Sequence, residues 1–251
     1  MGTAIRVELW ADDARGAQSA ITAVMYLMLM PVFAADSQPE QNATLLKMND
    51  IQVVGSHNSF KTKMPNAVMA KLRAEEATRA ESLDYYHVTL SAQLDAGVRQ
   101  FELDIFADPD GGRYADPRGE EWARAVGEST GFRRAPMLKP GFKVLHNPDV
   151  DYLSSCVTLI DCLREIDRWS RAHPHHLPIM ITLNAADTAS GRPGITDPLP
   201  LNNKRLLDVL DAEIRSALPG ERLITPDEVR GKAPTLRDAV RNQGWPSLAA
   251  A

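Results

Sequence analysis

The sequence predicts an α/β protein whose strands run parallel and are joined by crossovers. Three observations point there. Short apolar runs alternate with helix-like stretches in the order strand, helix, strand, loop, strand, helix, strand, helix. The 251 residues, 44% of them hydrophobic, suffice for one sizeable core, and single α/β barrels commonly reach this length. Polar residues gather at the C-terminal ends of the apolar runs, where α/β barrels keep their active sites. About five of the eight strands that a closed TIM-type barrel requires can be found. A complete five-strand doubly wound sheet is the alternative. No G-x-G-x-x-G turn follows any strand, so a dinucleotide site is unsupported.

The N-terminal segment stands apart. Ala20 to Ala35 is an uninterrupted apolar run that ends in small residues, with Val32-Phe33-Ala34 fitting a cleavage pattern before polar sequence starts at Asp36. This predicts a signal peptide or leader over 1–35 and a single domain over 36–251, exported to the periplasm or secreted. The stretch before the run carries Glu8, Asp12 and Asp13 against Arg6 and Arg15, which departs from the usual positive start.

From there the elements follow in order. Ile51 to Val54 is a short β-rich run stopped by Gly55. Residues 66–82 are helix-friendly, and 86–94 also read as helical, ended by Asp95-Ala96-Gly97. Val98 to Phe106 is the second strand, and 108–141 is a long loop rich in Gly, Pro and charge. Phe142 to Leu145 is a third strand. Leu159, Leu163, Ile166 and Trp169 form a helical stripe that Pro174 ends. Ile179 to Leu183 is a fourth strand, 201–217 an amphipathic helix, Arg222 to Thr225 a fifth short strand and 235–241 a short helix. The strands that would complete a barrel are absent after Trp245, so the barrel is expected to be incomplete.

Charge narrows the function. The formal net charge is −5, without the basic excess of a nucleic-acid-binding domain. Cys156 and Cys162 can pair if the protein is exported, and otherwise are two buried thiols. No Cys or His set at ligand spacing surrounds them, which argues against zinc.

Four strand ends carry the chemistry: His57-Asn58, Glu102-Leu103-Asp104, His146-Asn147 and Asn184, at successive gaps of 45, 44 and 38 residues. Each gap equals about one strand and its return connection, so the groups would converge on one rim. Glu102 and Asp104, two apart on a strand, share a face, leaving Phe101, Leu103 and Ile105 to pack against helices. Two buried carboxylates side by side are costly unless a cation neutralises them, and Ca²⁺ accepts carboxylates, amide carbonyls and water. Asn58 offers an amide oxygen. Pairing of the carboxylates with an arginine such as Arg99 is the alternative. His57 and His146 suggest acid–base work across one substrate. His87, His173, His175 and His176 read as surface residues.

The run from Asn49 to Phe60 resembles the first strand of phosphoinositide-specific phospholipase C catalytic domains, most closely the secreted, calcium-dependent bacterial and fungal branch. Residues 94–104, 144–146, 177–184 and the Cys156–Pro174 segment extend the resemblance to roughly 46–248. It implies a distorted (β/α)₈ barrel that cleaves phosphatidylinositol-type lipids, releasing diacylglycerol and an inositol phosphate. His57 would then contact the phosphate and His146 would act as general acid. Asn58, Glu102 and Asp104 would hold Ca²⁺. Asn184 stands where eukaryotic relatives place a glutamate ligand, so it would offer an oxygen without the charge. A monomer making transient contact with a membrane surface is implied. A glycerophosphodiesterase or sphingomyelinase D-like barrel, or an inactive binding module, are the alternatives; Asn58-Ser59 after the histidine, in place of Arg-Gly, favours the phospholipase.

Overall fold

A computed structural model describes residues 46–201 and 204–250. The expected leader over 1–35 lies outside the described residues. The elements are β1 (Gly55–Ser56), α1 (Asn66–Glu75), α2 (Ala77–Leu83), α3 (Leu90–Asp95), β2 (Gln100–Phe106), α4 (Arg118–Ala125), α5 (Arg134–Met137), β3 (Lys143–Val144), α6 (Leu159–Ala172), β4 (Met180–Ala185), α7 (Lys204–Ala217), α8 (Pro226–Arg230) and α9 (Leu236–Gln243).

β2 is the centre of an open sheet. β1 pairs with its start in parallel, Gly55 opposite Gln100. β4 runs parallel along its length, from Gln100 opposite Met180 to Ile105 opposite Ala185. The alternation in β2 explains its place. Phe101, Leu103 and Ile105 are wholly buried in the main core, together with Leu159, Leu163, Ile166 and Trp169 of α6. The predicted stripe of α6 is therefore the face that covers the sheet. Thr158 caps that helix by accepting the Asp161 N–H, and the helix stops at Ala172, before Pro174. Gly97 takes the positive φ of 95° needed to turn from α3 into β2.

Four expectations are corrected. β3 is antiparallel to β2, with Ile105 opposite Val144 and Phe106 opposite Lys143. The cause lies in the 108–141 excursion, which carries α4 and α5 and folds back so that the chain enters β3 from beyond the end of β2. Lys143, fully buried, anchors this course: its Nζ lies 3.0 Å from Asp108 and donates to the carbonyls of Lys139 and Gly141. Arg222 to Thr225 is not a strand. Gly220–Arg222 is a 3-10 turn, and Thr225 caps α8 through a capping box with Glu228. The described residues thus hold four strands rather than five. Ile51 to Val54 stays outside the ladder, although the Val54 carbonyl accepts the Arg99 and Gln100 N–H groups. Residues 86–89 are not helical either: Thr89 accepts the Ala92 N–H and starts α3 at Leu90.

Cys156 and Cys162 form a disulfide, Cα to Cα 4.9 Å, tying the loop after β3 to the first turn of α6. No helix among the described residues is long and apolar enough to cross a membrane.

Candidate active site

The turn after β1 is pinned to β2. The Ser59 N–H donates to the Glu102 carbonyl, and the Ser59 hydroxyl accepts the Glu102 N–H, each at 3.0 Å. This forces Asn58 into the left-handed region, φ 49°, which asparagine tolerates better than most residues. Its N–H donates to the Glu102 carboxylate at 2.7 Å, and its Nδ2 donates to the Tyr85 hydroxyl at 2.5 Å. Its Oδ1 is buried with no hydrogen-bond partner.

Glu102 and Asp104 share the face opposite the core, as their spacing predicts. Their carboxyls interact directly. Asn184, the ladder partner of Asp104 on β4, donates its Nδ2 to Asp104 Oδ1 at 2.6 Å. Burial, followed by the charge of Glu102, pushes the Asp104 pKa up to about 7. Arg99 does not reach this pair. It donates to the Leu94 and Val98 carbonyls and lies over the Trp169 ring. Pairing of the carboxylates with Arg99 is thereby excluded.

His146 follows β3, whose antiparallel course leads the chain back along β2 toward Asp104. Its Nδ1 donates to Asp151 Oδ2 at 2.7 Å. Asp151 Oδ1 lies 3.0 Å from Lys61 Nζ, and both side chains are fully buried. Burial works against protonated His146. The Asp151 hydrogen bond and the charges of Asp151 and Asp104 outweigh it, so the imidazole pKa lies above its ordinary value. His57 is exposed at the rim, and its carbonyl oxygen lies 2.9 Å from His87 Nε2. Among the described residues no hydrogen bond joins the His57 ring to the other members.

The structure thus brings Asn58, Glu102, Asp104 and Asn184 into one chain of contacts, with His146 within reach of the Asp104 charge. Among the described residues no group of three or more His, Cys, Asp and Glu side chains forms a metal site. The available donor set is oxygen-based: two carboxylates and two amides. Two observations fit a hard cation there. Asn58 Oδ1 is an orphaned buried acceptor, and the Asp104 carboxyl is held toward neutrality by burial and by a neighbouring carboxyl.

Four neighbours had no clear signal in the sequence. Lys61 and Asp151 are ordinary charged residues four and five positions beyond the two histidines, and their burial follows from no local period. Tyr85 and His87 sit on an extended stretch whose part from Tyr86 onward reads as helix. There they turn inward while Tyr86 and Val88 are exposed. Burial and the charges of Asp151, Asp104 and Glu102 push the Tyr85 pKa up to about 12. Burial lowers that of His87, which is not the surface residue expected.

An acidic pair with amide oxygens and a histidine–aspartate couple, gathered on an open α/β sheet, defines a candidate acid–base site able to take a hard cation. The chain belongs to the family described as phosphoinositide phospholipase C, Ca²⁺-dependent, whose model matches residues 46–251. Solved structures with similarity include a calcium-dependent phosphoinositol-specific phospholipase C from Pseudomonas sp., in apo form (20% identity, 84% of this chain, 56% of that chain, TM-score 0.46). Another is a Ca²⁺-dependent phosphatidylinositol-specific phospholipase C from Streptomyces antibioticus (20% identity, 78% of this chain, 48% of that chain, TM-score 0.44). A myoinositol complex of the Pseudomonas sp. protein matches at 19% identity, over 85% of this chain and 58% of that chain, with TM-score 0.46. The chain spans about half the length of the solved structures it matches. No curated protein matches it.

Proposed function

We propose that the domain over 36–251 serves a calcium-dependent phosphodiesterase that cleaves phosphatidylinositol-type lipids between glycerol and phosphate. The products are diacylglycerol and an inositol phosphate, by way of a cyclic phosphodiester. One observation carries this reading: the Glu102 and Asp104 carboxyls act on each other, Asn58, whose N–H donates to Glu102, has a buried amide oxygen without a partner, and the His146–Asp151 couple feels the Asp104 charge. Family membership supplies the reaction class.

Asn58, Glu102 and Asp104 would hold Ca²⁺, with Asn184 as a further, uncharged oxygen. When bound, the cation would neutralise the carboxylate pair and lower the pKa of a nearby hydroxyl. His57, exposed at the rim, meets the phosphate and stabilises its pentacovalent state. A carboxylate of the pair takes the proton of the inositol 2-hydroxyl as that oxygen attacks phosphorus. His146 gives its Nε2 proton to the departing diacylglycerol oxygen, and its raised pKa favours the protonated form that this step needs.

The open sheet is one arc of a TIM-type (β/α)₈ barrel, supported by the parallel course of β1, β2 and β4. The protein acts as a secreted or periplasmic monomer with transient contact to a membrane surface and no nucleic-acid partner. The disulfide supports export to an oxidising compartment. Diacylglycerol release from phosphatidylinositol vesicles tests the function. Release with Ca²⁺ that stops in excess EGTA is expected; undiminished release in EGTA, or none in either condition, overturns it.

A further inference from the structure

We infer that Tyr85 is a positioning residue for the cation site: its hydroxyl holds the Asn58 side chain by the nitrogen end and leaves the oxygen end for the cation. The inference rests on the calcium reading above and deepens it.

A carboxamide has two ends of nearly equal shape and opposite polarity. Beside two carboxylates alone, the nitrogen end is the favoured neighbour. Asn58 turns its nitrogen end to Tyr85 instead. Its N–H goes to the Glu102 carboxylate, its carbonyl accepts the Lys61 N–H at 2.8 Å, and its Nδ2 goes to Tyr85. Only Oδ1 has no partner, on a residue just 1% exposed. An unsatisfied buried acceptor is costly, and a bound cation would offset that cost. Tyr85 is itself braced. Lys61 Nζ sits 4.9 Å from its ring centroid, and the His87 ring meets it edge-on. Without the hydroxyl, the amide can turn over and present its N–H groups to the cation. Partners that fix ligand orientation commonly carry about 10–100-fold of metal affinity.

The test is calorimetric titration with CaCl₂ of wild type, Tyr85→Phe, Asn58→Asp and the double variant. Melting in EGTA checks that each is folded. Tyr85→Phe is expected to raise the Ca²⁺ Kd about tenfold or more. In the Asn58→Asp background both ends of the side chain are oxygens, so Tyr85→Phe should change Kd by less than about twofold, since nothing is left to orient. An unchanged Kd for Tyr85→Phe, or the same loss in both backgrounds, overturns the inference. Absence of binding by wild type overturns the calcium reading itself and the inference with it, a result distinct from equal binding by wild type and Tyr85→Phe.

Discussion

Asp151 acts on His146 in two ways. An ionised carboxylate can only accept, so Nδ1 carries the proton of their shared hydrogen bond and Nε2 is left for the substrate. Its charge also raises the imidazole pKa against the opposing effect of burial. Asp151→Asn keeps the shape and removes the charge. The His146 pKa then falls, the alkaline limb of kcat moves to lower pH, and turnover near pH 7.5 drops by about 10²-fold. An unmoved alkaline limb would show that His146 is not the acid. In stability the sign is the same. The folded pKa is raised, so the stabilising contribution is full below about pH 6.5 and fades as pH rises through the folded value.

Asp104 is the converse case among acids. Its pKa is pushed up to about 7, so the calcium-free folded state holds a proton that the unfolded chain has already lost. Its contribution is greatest below about pH 4 and is lost as pH rises toward 7. Asp104→Asn still accepts from Asn184 in the same place but cannot ionise. Without calcium at pH 8 the variant should melt higher than wild type by a few degrees while losing Ca²⁺ affinity. A lower melting temperature would mean that the carboxylate is compensated by something other than a cation.

Among elements, those with strong local periods were legible. The burial of β2 and the stripe of α6 follow their sequences residue by residue, and Gly97 and Pro174 bound them as expected. The misread elements are those whose form depends on distant contacts. β3 is only two residues long, and its direction is set by Lys143 reaching back to Asp108 across the excursion, which no window of sequence contains. The stretch 86–89 carries helix-compatible residues, yet Tyr85 and His87 are held inward by Asn58 and His57. At the site, the candidate ligands and both histidines stood out because polar groups closing apolar strands are unusual. Lys61, Asp151 and Tyr85 support them through contacts that spacing does not encode.

The disulfide belongs to the same scale. It joins the loop after β3 to α6, on the core side of the sheet rather than in the polar cluster. Replacing both cysteines by alanine should cost about 2 kcal/mol of stability in the chain-entropy picture. Ca²⁺ affinity should stay within about twofold, since the residues proposed to hold Ca²⁺ lie on the turn after β1, on β2 and on β4; denaturant melts and calcium titrations check both halves. A large loss of affinity with little loss of stability would place the bridge in the site's support.

At the scale of the molecule, the proposed chemistry depends on four strand ends distant in sequence meeting around one hard cation. Asn58, Glu102, Asp104 and Asn184 touch in sequence along the sheet, and His146 comes back to them because β3 is reversed. The acidic net charge, −5, leaves cation binding unopposed at long range. The most direct measurement is anomalous diffraction from crystals grown with Ca²⁺. A single strong peak is expected about 2.3–2.6 Å from Asn58 Oδ1 and from carboxylate oxygens of Glu102 and Asp104. A crystal saturated with Ca²⁺ that shows no peak there, or an Asn58 amide turned with its nitrogen toward the carboxylates, would contradict it.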